Sequence, residues 1–147
     1  MNRGDHRTSE TRLRVRYSET DAQRIVNNGV YLAYFEVGRV EWLRNAGFSY
    51  AELERDGYGF VVVKAEIEYG KPARFDDELT VRTTLLELRR ASLSFAYKVL
   101  RGEELLVAGK TRHGCIDIAS GRPVRIPAGL GGDRIFGAKD FHETKTR

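Results

Sequence analysis

The chain is poor in the residue types that most often carry chemistry. It has one cysteine, Cys115. A single cysteine makes no internal disulfide and no metal cluster by itself. Cys115 sits in an alternating apolar run, where a packed strand residue is expected rather than a nucleophile. The three histidines, His6, His113 and His142, are scattered without metal-ligand spacing, which argues against a metal site. There is no G-x-S-x-G, no P-loop and no G-x-G-x-x-G. No apolar run is long enough to span a bilayer. The opening "MNRGDHRTSETR" is charged and has no apolar core, so no secretory signal is evident and the cytoplasm is the expected compartment. The net charge is +4. Its basic residues are dispersed and not interleaved with aromatics, so neither nucleic acid nor a membrane is the expected partner.

What is present fits one domain. The 147 residues are 41% hydrophobic and 31% charged, a composition that supports a single core. The expected domain is 1–147, with 1–10 and about 128–147 peripheral. Leu13, Val15 and Tyr17 alternate with Arg12, Arg14 and Arg16, the period of a strand. Val30 to about Ala46 reads as a helix with a wide apolar face: Tyr31, Tyr34, Phe35, Val37, Val40, Leu43 and Ala46. Asn27 or Asn28 suits its N-cap and Gly47 its stop. Gly38 suits close packing against a neighbour. A short helix, about Ser49 to Asp56, follows. Four strands then come in series, through "FVVVKAEIEYGKPA", "DELTVRTTLLELR", "SLSFAYKVL" and "ELLVAGKTRHGCIDI". In the first of these, Val61, Val63, Ala65, Ile67 and Tyr69 alternate with Lys64, Glu66 and Glu68. The short links "RRA" and "RGE" make antiparallel hairpins. The sum is an α+β fold, an antiparallel sheet with a helix on its concave face. The outer face carries Lys64, Glu66, Arg82, Thr84 and Lys98.

One carboxylate stands out. Asp21 precedes the buried helix, whose N-terminus offers free N–H groups and partial positive charge. Such an end stabilises a developing oxyanion, and a nearby carboxylate can act as nucleophile or as general base on water. The spacing alone equally fits a turn-forming Asp.

The stretch "YSETDAQRIVNNGVYLAYFEVGRVEWLR" resembles the hotdog-fold acyl-CoA thioesterases of the 4-hydroxybenzoyl-CoA thioesterase-like branch. That branch shows T-D-x-x-G-x-V-x-N/H-x-x-Y-L-x-Y-F-E. "IEYGKPARFDDELTVRT" and "RRASLSFAYKV" resemble its later strands, so the likeness runs from about Leu13 to about Pro123. The resemblance implies a five-stranded antiparallel sheet wrapped around a central helix. It also implies hydrolysis of an acyl-CoA, with no cofactor, at a site shared between subunits of a homodimer or homotetramer. It places Asp21 on the catalytic carboxylate and Asn28 on the backbone N–H that polarises the thioester carbonyl. Tyr31 falls on a pocket-lining or structural position. Arg89 and Arg90, with Ser92 at the same hairpin, are the candidates for the coenzyme A phosphates, reached from the adjoining subunit. Arg24 stands where the branch carries glycine, so either the loop is reshaped or Arg24 approaches an anionic part of the ligand. Ile25 and Asn28 stand where some members carry histidine, which leaves the acid–base work to Asp21. A non-catalytic acyl-CoA-binding protein and a thioesterase acting on acyl carrier protein are the alternatives.

Overall fold

The aromatic run after Gly29 forms helix α1 (Val30–Asn45), with Tyr31, Tyr34, Phe35, Gly38, Trp42 and Leu43 buried. These positions recur at three- and four-residue spacing, so one face packs on the sheet. The computed structural model describes residues 7–127, and the expected peripheral segment from about 128 lies outside them. The N-cap of α1 is Gly29, with no side-chain cap, rather than Asn27 or Asn28. Asn27 closes the preceding turn instead: its Oδ1 accepts the Gly29 N–H at 3.1 Å and its carbonyl accepts the Val30 N–H at 2.9 Å. Gly47, at φ 97°, ends the helix, and Phe48 N–H reaches back to the Leu43 carbonyl at 2.9 Å. Helix α2 (Tyr50–Arg55) starts from Ser49, whose Oγ accepts the Glu52 N–H.

Five strands form one antiparallel sheet in the order β1-β3-β4-β5-β2. They are β1 (Thr8–Arg14), β2 (Tyr58–Tyr69), β3 (Glu78–Leu88), β4 (Ser92–Arg101) and β5 (Glu104–Asp117). The first strand therefore starts earlier and ends earlier than the alternation alone predicts. Thr8, Ser9 and Glu10 pair with Thr84, Thr83 and Arg82 and belong to the sheet. Tyr17 leaves it: it is 76% exposed, in a 3-10 turn at Tyr17–Glu19, and meets Phe75 edge-on. The turn forms because the Glu19 carboxylate accepts the Arg16 N–H at 2.8 Å, which takes the chain off the strand.

α1 lies across β1, β3 and β4. A Cβ on Gly38 would stand 2.4 Å from Thr83 Oγ1 and 2.8 Å from Val81 Cγ1, so glycine is what lets helix and sheet approach there. Phe35 stacks on Tyr97 at 4.3 Å between ring centres, and Trp42 meets Phe95 edge-on. Cys115 is buried in β5 as a packed residue, and burial pushes its thiol up to about 11.

β2 departs from the sequence expectation. A strand with one buried face was expected, but residues 61–66 are exposed throughout. Val61, Val62 and Val63 are 41%, 51% and 54% exposed. β2 is an edge strand: α2 packs on its Phe60 end through Tyr50 and Ile67 reaches the core, but the stretch 61–66 between them is left bare.

Candidate active site

The segment between β1 and α1 is a small closed structure. Thr20 bridges Val26, Asn27 N–H donates to the Glu19 carbonyl at 2.9 Å, and Val26 N–H donates to the Ala73 carbonyl at 2.9 Å. Within this frame Asp21 opens a β-turn: Arg24 N–H donates to the Asp21 carbonyl at 2.8 Å, and Asp21 N–H to the Ile25 carbonyl at 3.0 Å. Asp21 Oδ1 accepts the Gln23 N–H at 2.8 Å. Oδ2 has no partner among the described residues, and Asp21 is exposed. The carboxylate is thus held by one oxygen and open at the other.

Arg24 sits at φ 68°. A left-handed residue directly after such a turn is the position where glycine closes a short hairpin. Arg24 thus takes, at this turn, the backbone conformation that favours glycine. The cost of a left-handed conformation for a residue with a Cβ is about 1 kcal/mol.

Two further residues hold this loop, and sequence reading missed both roles. Tyr34 donates its hydroxyl to Glu19 Oε1 at 2.8 Å. The Arg16 guanidinium holds Glu19 Oε2 at 2.9 Å. Burial pushes the Glu19 carboxyl up, but the Arg16 N–H, the Tyr34 hydroxyl and the Arg16 charge outweigh it and leave it below the ordinary carboxylate value. Burial, reinforced by Glu19, raises the Tyr34 phenol. The available signal was Glu19 two residues before Asp21, and Tyr34 within helical reach of the same loop.

Asn28 stands at the helix start. Its carbonyl accepts the Tyr69 hydroxyl at 3.0 Å, which fixes this peptide to the end of β2. Its own N–H has no acceptor among the described residues. That N–H is an open donor one residue ahead of the helix N-cap, Gly29. Tyr31 lies beneath this surface: it is buried, and its hydroxyl accepts the Ala73 N–H at 3.2 Å.

Arg89, Arg90 and Ser92 are not brought to Asp21 within one chain. The turn between β3 and β4 lies at the far end of β3 from the segment that meets Val26 and Tyr31. Arg89 pairs with Glu87 at 3.2 Å, and its Nε is buried without a partner. A groove of about 560 Å³ on the outer face, lined by Glu66, Arg82, Lys98 and Lys110 among others, also stands apart from the Asp21 turn. Among the described residues no group of His, Cys, Asp and Glu could hold a metal ion, and no helix is long and apolar enough to cross a membrane.

A five-stranded antiparallel sheet wrapped around one long helix is the hotdog fold, here with the proportions of a thioesterase. The family model of the thioesterase-like superfamily matches residues 15–132. A putative esterase of Aquifex aeolicus is 39% identical over 79% of this chain and 89% of its own. The acyl-CoA thioester hydrolase YbgC of Escherichia coli is 34% identical over 80% of this chain and 89% of its own. The crystal structure of a hypothetical protein, TT1821, from Thermus thermophilus superposes with a TM-score of 0.80 at 42% identity, covering 83% of this chain and 93% of that one. The chain belongs to the thioesterase-like superfamily and is a thioester hydrolase by that membership.

Proposed function

We propose that the protein hydrolyses acyl-CoA thioesters to the free acid and coenzyme A, with Asp21 and the Asn28 N–H as its chemical groups. The observation that carries this reading is the pairing of two open groups on one locked segment. One oxygen of Asp21 is tied and the other free, and the Asn28 N–H lacks an acceptor. The thioester carbonyl oxygen accepts the Asn28 N–H, which stabilises negative charge as it develops. Asp21 removes a proton from water as the water oxygen bonds to the carbonyl carbon, or attacks that carbon itself to give a mixed anhydride that water then hydrolyses to the free acid and the carboxylate. The carbon–sulfur bond breaks and the sulfur leaves as the coenzyme A thiolate, which is then protonated.

The reading includes a homodimer through β2. An exposed edge strand carrying Val61, Val62 and Val63 is a template for pairing. A second β2 added antiparallel about a two-fold axis exchanges the ends of the two sheets. The Tyr69 end of one chain, with Asn28 and Asp21, then meets the far end of the partner, where Arg89, Arg90 and Ser92 are set to meet coenzyme A. The test is steady-state hydrolysis of an acyl-CoA panel by wild type and Asp21→Asn. Loss of about 100-fold or more in kcat is expected. A variant at full rate, or a wild type that cleaves no acyl-CoA, would end the proposal.

A further inference from the structure

The groove of about 560 Å³ on the outer face of the sheet has the short side chains of Ala96 and Ala108 on its floor. A second recess of about 310 Å³ continues it past Lys110 toward Ser94 and Arg112. The strand register sets cations against cations here. Arg82 of β3 stands directly opposite Lys98 of β4, and Lys64 of β2 directly opposite Arg112 of β5. Lys98 faces Ala108 and Lys110 faces Ala96, so Lys98 and Lys110 are diagonal neighbours. Like charges directly opposite one another destabilise a sheet.

The acids of this face leave its centre uncompensated. Glu10 of β1 binds Arg82 at 2.6 Å, and Glu66 of β2 binds Lys64 at 3.2 Å. Lys98, Lys110 and Arg112, on β4 and β5, have no acidic partner among the described residues. These three cations are exposed and lie within about 14 Å of one another along two adjacent strands. The groove beside them is of the roughly 300–1,000 Å³ that small-ligand sites occupy. Its charge complements an anion, and the flanking acids limit the anion's breadth. Glu10 lies two strands from Lys98 on one side, and Glu66 and Glu68 two strands away on the other. A broad acidic surface laid across the sheet would meet those carboxylates. A second copy stacked on this face about a two-fold axis through its centre would set cations on cations. A compact polyanion lying along β4 and β5 avoids both.

We propose that this groove is a second coenzyme A site, which takes the free product by its phosphate groups on Lys98, Lys110 and Arg112. The choice of occupant rests on the thioesterase reading above, since coenzyme A is the compact polyanion that the reaction releases. The groove stands apart from the Asp21 turn, so the molecule it holds is not the one under hydrolysis. Ser94 adds a hydroxyl in the adjoining recess. Phosphates seated there relieve the repulsion between the opposed cations, so the occupied protein is the more stable one.

The experiment titrates free coenzyme A and pantetheine, which has no phosphate, into wild type and into the double variant Lys98→Ala, Lys110→Ala, with binding read by calorimetry. Wild type is expected to take up one coenzyme A more per chain than the double variant, in which this extra binding weakens about tenfold or more. Pantetheine is expected to leave the groove empty. A cooperative melt near the wild-type temperature shows that the variant is folded, and coenzyme A should raise the melting temperature of wild type more than that of the variant. Equal uptake by the two proteins, or pantetheine bound as well as coenzyme A, would overturn the inference. So would a variant of lower mass in light scattering, which would make the face a contact between copies, or polyglutamate bound more tightly than coenzyme A, which would make it a protein-docking surface. A wild type that fills the groove but cleaves no acyl-CoA would overturn the thioesterase reading and leave the site, a distinct result.

Discussion

Tyr34, on the buried face of α1, donates a hydrogen bond of 2.8 Å to Glu19, two residues before Asp21. Through it the helix and the turn that feeds it move as one body. Tyr34→Phe removes a charge-assisted bond and is expected to cost about 2 kcal/mol of stability. It is also expected to lower kcat about tenfold, with KM little changed, because the turn loses its register. Thermal melts and steady-state kinetics read both. The Glu19 carboxyl is held below its ordinary value when folded. Its stabilising contribution is present above the unfolded carboxylate value and is lost as pH falls through the lowered folded one. Tyr34→Phe should shrink that acid-side loss in melts below about pH 5.

Arg24→Gly removes a side chain from a left-handed position. The gain is expected to be about 1 kcal/mol, reduced by the greater freedom of the unfolded glycine. A melting temperature raised by about 2–4 °C would agree. A lower one would show that the arginine side chain holds the loop.

Replacing both Val61 and Val63 by Asp puts like charges on the exposed edge of β2. Light scattering should then report a monomer, and hydrolysis should fall with the dimer. A fully active monomer would place the whole site within one chain.

His113 predicts a pH effect of opposite origin to that of Glu19. Its folded value is about 4 against an ordinary 6.5. Between these values the unfolded chain binds a proton that the folded chain does not, so stability rises with pH across the window. The difference amounts to about 3 kcal/mol. His113→Gln should flatten melting temperature between about pH 4 and 6.5, and an unchanged slope would assign the effect elsewhere.

Sequence periodicity found α1, α2, β3, β4 and β5 because each buries one face, at spacings of three to four or of two. It misplaced β1 because Tyr17 continues the apolar alternation, while the turn is set by Glu19 bonding the Arg16 backbone. It gave β2 a buried face because Val61, Val63 and Ile67 alternate as a core strand would. Alternation records that a face is apolar, and the residues that cover it can belong to another chain. At the candidate site, Asp21 and Asn28 were legible from the motif, and Arg24 from its departure. The support from Tyr34 and Tyr69 was not, since an aromatic on a helix or strand reads as core until its hydroxyl has a partner. His113 was hidden for the same reason, as a lone histidine in an apolar run.

The bare edge of β2 has a kinetic meaning. In the proposed homodimer the competent species is a pair, and its abundance follows the square of the free chain concentration. Dilution then acts as an inhibitor. Specific activity should decline once the enzyme is assayed below the dimer dissociation constant and recover on concentration, so a rate measured at one protein concentration is not a property of the chain alone.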